Sequence, residues 1–292
     1  MGAAVSAVAR PAEERTPRLS APIRRKLVHG GFIVAVVLYV SILILGPLIG
    51  IAWAGIKAGW STIVSTVTQP DVLHAYLLSG VITLITVVVT AVFGVIVALV
   101  LTRDRFPGKR IMSALVDLPL AVSPVIVGLM AVILFGRGGW FEPWLTAHGI
   151  TIIFAIPSMV IVTIFISIPF VIREVTPVLL ELGTSEEEAA RTLGASSMQT
   201  FFRVTLKNIR WGLLYGIALS AARSIGEIGA VLIVSGQITG HTETATLIVL
   251  RFFDQYQDAS GYIVALTLAL VSILLLTGIE IFKRREEKEL QR

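Results

Sequence analysis

Several stretches of the chain carry almost no charge over about 20 residues or more, the length an α-helix needs to cross a hydrocarbon core of about 30 Å. They run roughly from Gly31 to Trp53, Ala75 to Leu101, Ile111 to Phe135, Ile150 to Ile172, Gly212 to Val234 and Gly261 to Ile279. Lipid offers the backbone no hydrogen-bond partners, so such stretches must be helices or the strands of a closed barrel. Continuous rather than alternating apolarity selects helices. The expected fold class is all-α, a polytopic membrane protein with about six transmembrane helices. Composition agrees, since 55% of the residues are apolar and 15% charged, where a soluble domain has about a quarter charged.

Lys and Arg concentrate in the loops that stay in the cytosol. The N-terminal tail holds Arg10, Arg15, Arg18, Arg24, Arg25 and Lys26, and the second loop Arg103, Arg105, Lys109 and Arg110. The fourth loop holds Arg173, Arg191, Arg203, Lys207 and Arg210, and the C-terminus Lys283, Arg284, Arg285, Lys288 and Arg292. The opposite side has Lys57, Arg137 and Arg251. Both termini and the fourth loop are therefore expected in the cytosol. Trp53, Trp60, Trp140 and Trp144 fall at or beyond the outer ends of spans and Trp211 at an inner end, where amphipathic rings prefer to lie. The net charge of +5 follows from topology and does not point to nucleic acid.

The expected layout is a disordered cytosolic tail over residues 1–27, a transmembrane region over 28–282 with a polar loop at 173–211, and a cytosolic tail over 283–292. The tail is rich in charge and carries Pro11, Pro17 and Pro22, a composition that does not build a core. The first span follows basic residues and contains Ala52-Trp53-Ala54, which resembles a signal-peptide cleavage site. Its uncharged run from Gly30 to Ile56 is far longer than the about 7 to 15 residues of a signal h-region, so it is read as an uncleaved anchor. The chain has no cysteine, which excludes disulfides and thiol chemistry.

Catalytic constellations are absent. No GxxxxGK[ST] run is present to cradle a nucleotide phosphate. His29, His74, His148 and His241 stand near segment ends at no metal-ligand spacing. Neither a catalytic residue, a metal site nor a cofactor is expected on this chain.

The polar run Glu186 to Arg210, EEEAARTLGASSMQTFFRVTLKNIR, lies between two apolar stretches. Thr184 with Glu187, or Ser185 with Glu188, has capping-box spacing and predicts a helix start near Ser185. Gly194 predicts its stop, and Ser196 with Gln199 predicts a second helix bearing Phe201, Phe202, Val204 and Leu206. Ala189, Ala190 and Ala195 leave a small-residue surface. On the residues alone, this hairpin either docks a soluble partner or packs against its own membrane region.

Glu188-Ala189-Ala190, Gly194, Val204 and Leu206 resemble the EAA motif of binding-protein-dependent ABC importer permeases at every spacing. Val204 stands for the motif's Ile and Lys207 for its Pro. Asp117 to Pro124, Phe135 to Phe141 and Ala222 to Ala230 resemble the sulfate and thiosulfate permeases of the CysW type, and molybdate and tungstate permeases share much of this pattern. The resemblance implies a type I (MetI-like) permease fold and a coupling helix that inserts into a separate ATPase subunit, which would hold ATP and Mg. Glu188, Ala189, Ala190, Gly194, Ala195, Val204 and Leu206 would carry that coupling. It further implies a heterodimer with a CysT-like paralogue and an extracytoplasmic sulfate- or thiosulfate-binding protein.

In the fifth stretch Arg223 falls near mid-membrane with Glu227 four residues on. Each ion costs about 2.5 to 3.5 kcal/mol there on insertion scales, so the two are expected to pair on one helix face. Either the pair locks helix packing, or Arg223 offers a fork to a passing oxyanion while Glu227 keeps that attraction weak. Ser224 and Ser123 complete the candidate path. The small residues Gly212, Gly216, Ser220, Ser224, Gly226, Gly229 and Ala230 are expected to meet a second permease chain or line a narrow path. Pro119 and Pro124 in the third stretch and Pro157 and Pro169 in the fourth are expected to bend their helices. Asp117, close to Arg110 in sequence, is expected to bond nearby basic groups. A secondary transporter would show inverted repeats and ion sites at broken midplane helices, and a membrane enzyme a clustered polar site at one face. Neither pattern is visible.

Overall fold

The structure is a computed structural model that describes the backbone of residues 21–290 and the side chains of residues 30–281. Every regular element among the described residues is helical. The chain divides into two units, 1–50 and 51–292. The first holds most of α1 (Ala21–Lys57), which begins inside the stretch read as a tail, while residues 1–20 of that tail lie outside the described residues. The second contains α2 (Trp60–Val67), α3 (Pro70–Arg103), α4 (Lys109–Ala121), α5 (Pro124–Phe135), α6 (Glu142–Ala147) and α7 (Ile156–Leu182). Beyond these come α8 (Ser185–Thr192), α9 (Ser197–Thr200), a π-type turn (Phe201–Thr205), α10 (Leu206–Ile225), α11 (Gly229–Val234), α12 (Ala245–Asp254) and α13 (Asp258–Leu290).

Among the described residues, four helices are long and apolar enough to cross a membrane: Gly30–Lys57, Pro70–Arg103, Ile156–Leu182 and Asp258–Ile281. The third expected span is a broken pair, α4 and α5, bent by 111°. The break follows from Pro124, which excludes its predecessor from helical backbone; Ser123 is extended at ψ 137. Pro124 then sits at the first turn of α5, where a missing N–H costs nothing. Pro157 likewise starts α7 instead of bending it, while Pro119 and Pro169 lie inside α4 and α7 as expected.

Helices α3, α7 and α10 form the centre of the second unit. At one end Val95, Ala98, Val171, Val175, Leu179 and Ile209 make a buried cluster; farther along, Leu78, Ile82, Met159, Val162 and Ile166 join residues of α5 and α11 in another. Gly212, Gly216, Ser220 and Ser224 of the fifth stretch meet neighbouring helices of the same chain. A Cβ on Gly216 would lie 2.9 Å from the Val171 backbone, and one on Gly212 2.9 Å from the Glu174 carbonyl oxygen. Glycine lets α10 lie directly on α7, and hydroxyl pairs fasten α10 to both neighbours: Thr90 of α3 to Ser220 at 3.0 Å and Ser167 of α7 to Ser224 at 3.2 Å. In hydrocarbon such pairs satisfy groups that have no water to turn to.

Candidate functional site

The polar loop folds as the hairpin its sequence implies, with one change. Helix α8 starts at Ser185, yet neither expected capping box closes there: Thr184 has no side-chain bond to the backbone and donates instead to Glu188 Oε1 at 2.7 Å. The Glu187 carboxylate is engaged elsewhere, accepting from Arg103 Nη2 and from Thr205 Oγ1, each at 3.0 Å. The far end is as expected. Gly194, at φ 87, closes a Schellman turn in which the Ala195 N–H donates to Ala190 O and the Gly194 N–H to Arg191 O. Ser196 and Gln199 form a reciprocal capping box, at 3.3 and 2.9 Å.

Helix α8 has no buried residue. Glu188, Ala189 and Gly194 are exposed, and Ala190 and Ala195 half-buried. Leu193 and Met198 are 89% and 67% exposed, an apolar tip open to a partner. Val204 is half-buried, and Leu206 packs against the cluster around Val175 and Leu179. Lys207 lies inside α10, so the helix runs on without the motif's proline. Arg103, Thr205 and Asn208, which hold the loop to the helices behind it, carry no local sequence signal, because their partners are remote in sequence.

The fifth stretch is broken between Ile225 and Gly229. Arg223 lies in the last turn of α10 and Glu227 stands in the break; Arg223 Nη2 meets Glu227 Oε2 at 2.7 Å. They form the expected ion pair, but across a helix end. Glu227 Oε1 accepts the Ala230 N–H at 2.8 Å, and Glu227 O accepts from Thr246 Oγ1 at 2.9 Å. The carboxylate side chain is 2% exposed and the Arg223 side chain 31%, so Glu227 secures the break while part of the guanidinium remains open. Ser224 points the other way, to Ser167 and to Ser220 O. The two breaks meet: a Cβ on Gly229 would lie 3.0 Å from the Pro124 Cβ, next to exposed Ser123. Asp117 pairs with Arg173 at 2.9 Å, the basic partner it was expected to find, and both line a groove of about 950 Å³ with Lys109 and Arg110.

A further cluster gave no signal in the sequence. Arg251 on α12 pairs with Glu243 at 3.0 Å, approaches Asp71 of α3 at 3.8 Å and donates to Thr239. Burial pushes the Glu243 carboxyl above its ordinary range, and the Arg251 charge opposes that shift.

A helical membrane chain with two helix breaks pressed together and an exposed hairpin between long helices has the build of a transport permease. This chain belongs to the family of binding-protein-dependent transport system inner membrane components, whose model matches residues 91–288. It is 44% identical over 247 residues, 85% of this chain and 90% of the other, to the sulfate transport system permease protein CysW of Synechocystis sp.. It is 35% identical over 248 residues, 85% of this chain and 90% of the other, to the sulfate transport system permease protein CysT of Escherichia coli. Among solved structures it matches a chain of a bacterial alginate ABC transporter in complex with an alginate pentasaccharide-bound periplasmic protein. The TM-score is 0.75 at 16% identity, over 92% of this chain and 98% of that one, and it shows the fold alone: that of a type I ABC importer permease. The protein is thus an inner-membrane transport component, not an enzyme, and works in a system that includes a binding protein.

Proposed function

We propose that this chain is the membrane-spanning permease subunit of an ATP-driven importer that carries sulfate or thiosulfate into the cytoplasm. The observation that carries the substrate is the 44% identity, over 85% of the chain, to a protein named as a sulfate permease. In this reading an extracytoplasmic binding protein delivers the anion to a pathway shared with a second, CysT-like permease chain. Separate ATPase subunits hold ATP and Mg and receive α8 in a cleft, and their closure moves the membrane helices. The distribution of Lys and Arg supports placing α8 and both termini in the cytosol. The exposed tip at Leu193 and Met198 supports docking, since apolar surface of this kind marks contact sites.

Arg223 is the residue assigned to the anion. Its guanidinium has five N–H donors, and the bond to Glu227 leaves others for an oxyanion. The paired carboxylate keeps the attraction weak enough for release, which conduction requires. The test is uptake of radiolabelled sulfate in a strain deleted for this chain, with unlabelled thiosulfate, molybdate and tungstate as competitors and ATPase recovery on the tagged permease. Uptake restored by the wild-type chain together with ATPase recovery supports the reading, and the competitors rank the anions. Unchanged uptake with no ATPase recovered refutes it and returns the secondary transporter to consideration.

A further inference from the structure

Because α8 has no buried residue, apolar packing does not hold it to the protein; polar ties on one edge do. Glu187 Oε1 accepts from Arg103 Nη2 and from Thr205 Oγ1, each at 3.0 Å. Arg103 Nη1 donates to Leu179 O at 3.1 Å, and Asn208 Nδ2 donates to Glu186 Oε2. Arg103 is the last residue of α3, Leu179 lies in the last turn of α7, and Thr205 leads directly into α10. One carboxylate oxygen therefore ties α8 directly to the end of α3 and the entry to α10, and through Arg103 to α7.

The Arg103 and Glu187 side chains are 18% and 13% exposed. That removes the pair from the regime in which solvent and salt reduce an exposed ion pair to almost nothing. Glu187 differs in this from Glu188, which is exposed and bonded only to the neighbouring Thr184. The π-type turn contributes as well. Its widened bond from the Leu206 N–H to Phe201 O accompanies the placement of the Thr205 hydroxyl on Glu187, and such turns recur at functional positions. Arg103 is also fixed on both sides, because its two terminal nitrogens hold two different acceptors.

We propose that Glu187 and Arg103 are the joint that conveys a displacement of α8 to α3, α7 and α10, as positioning residues separate from the face of α8 that meets a partner. The inference rests on the importer reading and goes beyond it, since docking alone does not move a membrane helix. A hairpin held only at its chain ends could shift with the ATPase while the helices stayed behind. The half-buried fork prevents this.

The test uses the whole importer in vesicles, with sulfate uptake, ATP hydrolysis and ATPase recovery read from one preparation. Glu187→Gln keeps the shape and an acceptor oxygen and removes the charge; Arg103→Lys keeps the charge and removes the fork. In both, ATPase recovery is expected at the wild-type level. The ATP hydrolysed per sulfate taken up should rise about tenfold, the scale of one lost charge-assisted hydrogen bond. Thr205→Val, which leaves the ion pair in place, is expected to give a smaller rise. An unchanged ratio in both charge-site variants overturns the joint. A fall in uptake that tracks lost ATPase recovery also overturns it, because Glu187 would then be a docking or folding residue. A wild-type preparation that recovers no ATPase and takes up no sulfate overturns the importer reading itself, and the joint with it.

Discussion

Gly194 offers a test in which backbone geometry alone sets the magnitude. Its φ of 87 lies in the left-handed region, and a Cβ built there meets no atom within 4 Å. A side chain at this position therefore pays no steric cost against neighbours, only the cost of its own backbone, about 1 to 2 kcal/mol for an L-residue. Because α8 has no buried residue, the hairpin can relieve that strain by unwinding its last turn while the clusters around Val175 and Met159 stay intact. Docking requires the turn to be closed, so affinity for the ATPase should fall by a factor of about 5 to 30, the equivalent of that penalty. Asn tolerates the left-handed region better than Ala, and a β-branched residue worse. The expected order of affinity is Gly, then Asn, Ala and Val, measured as ATPase binding to the solubilised permease, with thermal unfolding of the membrane region unchanged throughout. Equal affinity for Gly194→Asn and Gly194→Val would refute the reasoning, since the two differ chiefly in left-handed preference.

Three other substitutions probe the buried ion pairs of the fold. Glu227→Ala removes the acceptor of the Ala230 N–H and the partner of Arg223 at a buried site, and should destabilise the protein by about 3 kcal/mol, read as a lower unfolding temperature in detergent. Arg223→Gln leaves the Ala230 bond in place but strips the buried Glu227 of its counter-charge, so uptake should fall together with a stability loss of about 3 kcal/mol; if transport and assembly are both unchanged, the pair has no essential part in either. Arg251→Gln leaves Glu243 buried without its counter-charge, at a cost of about 2 kcal/mol at neutral pH once the partial exposure of Arg251 is allowed for. Glu243 already has a raised pKa, so its contribution to stability is full below the ordinary value of 4.5 and is lost as pH rises through the folded value. Without Arg251 the folded value rises further. The variant's deficit should therefore shrink on acidification from neutral pH towards 4.5, and a deficit independent of pH would exclude Glu243 as its source.

Features written in neighbouring residues were legible from the sequence. The stop at Gly194, the box at Ser196 and Gln199, and the Arg223–Glu227 pair each depend on residues within four positions of one another. The breaks were half legible. Pro124 signals a disturbance in the third stretch, but whether a proline bends a helix or starts a new one depends on the residue before it and on what covers the exposed backbone groups. In the fifth stretch that cover is the Glu227 carboxylate on the Ala230 N–H and Thr246 on Glu227 O, and Thr246 is 19 residues away. Nothing in a run of apolar residues announces such a bond.

The same limit explains why the sequence around Glu187 resembles a helix cap. In EEEAA, three consecutive carboxylates share the first turn of α8, and their spacing to Thr184 and Ser185 fits a capping box. Their roles are separated by residues 76 to 84 positions apart in sequence: Arg103, bonded to Leu179 O and to Glu187. A helix repeats every 3.6 residues, so adjacent carboxylates face different ways. Glu187 turns inward to Arg103 and Thr205 while Glu188 stays exposed. The motif residue that resembles a partner contact and its neighbour that grips the membrane helices are thus divided by one step of helical rotation. A substitution at either can alter transport, but only the inward one should change how much ATP each transported anion requires.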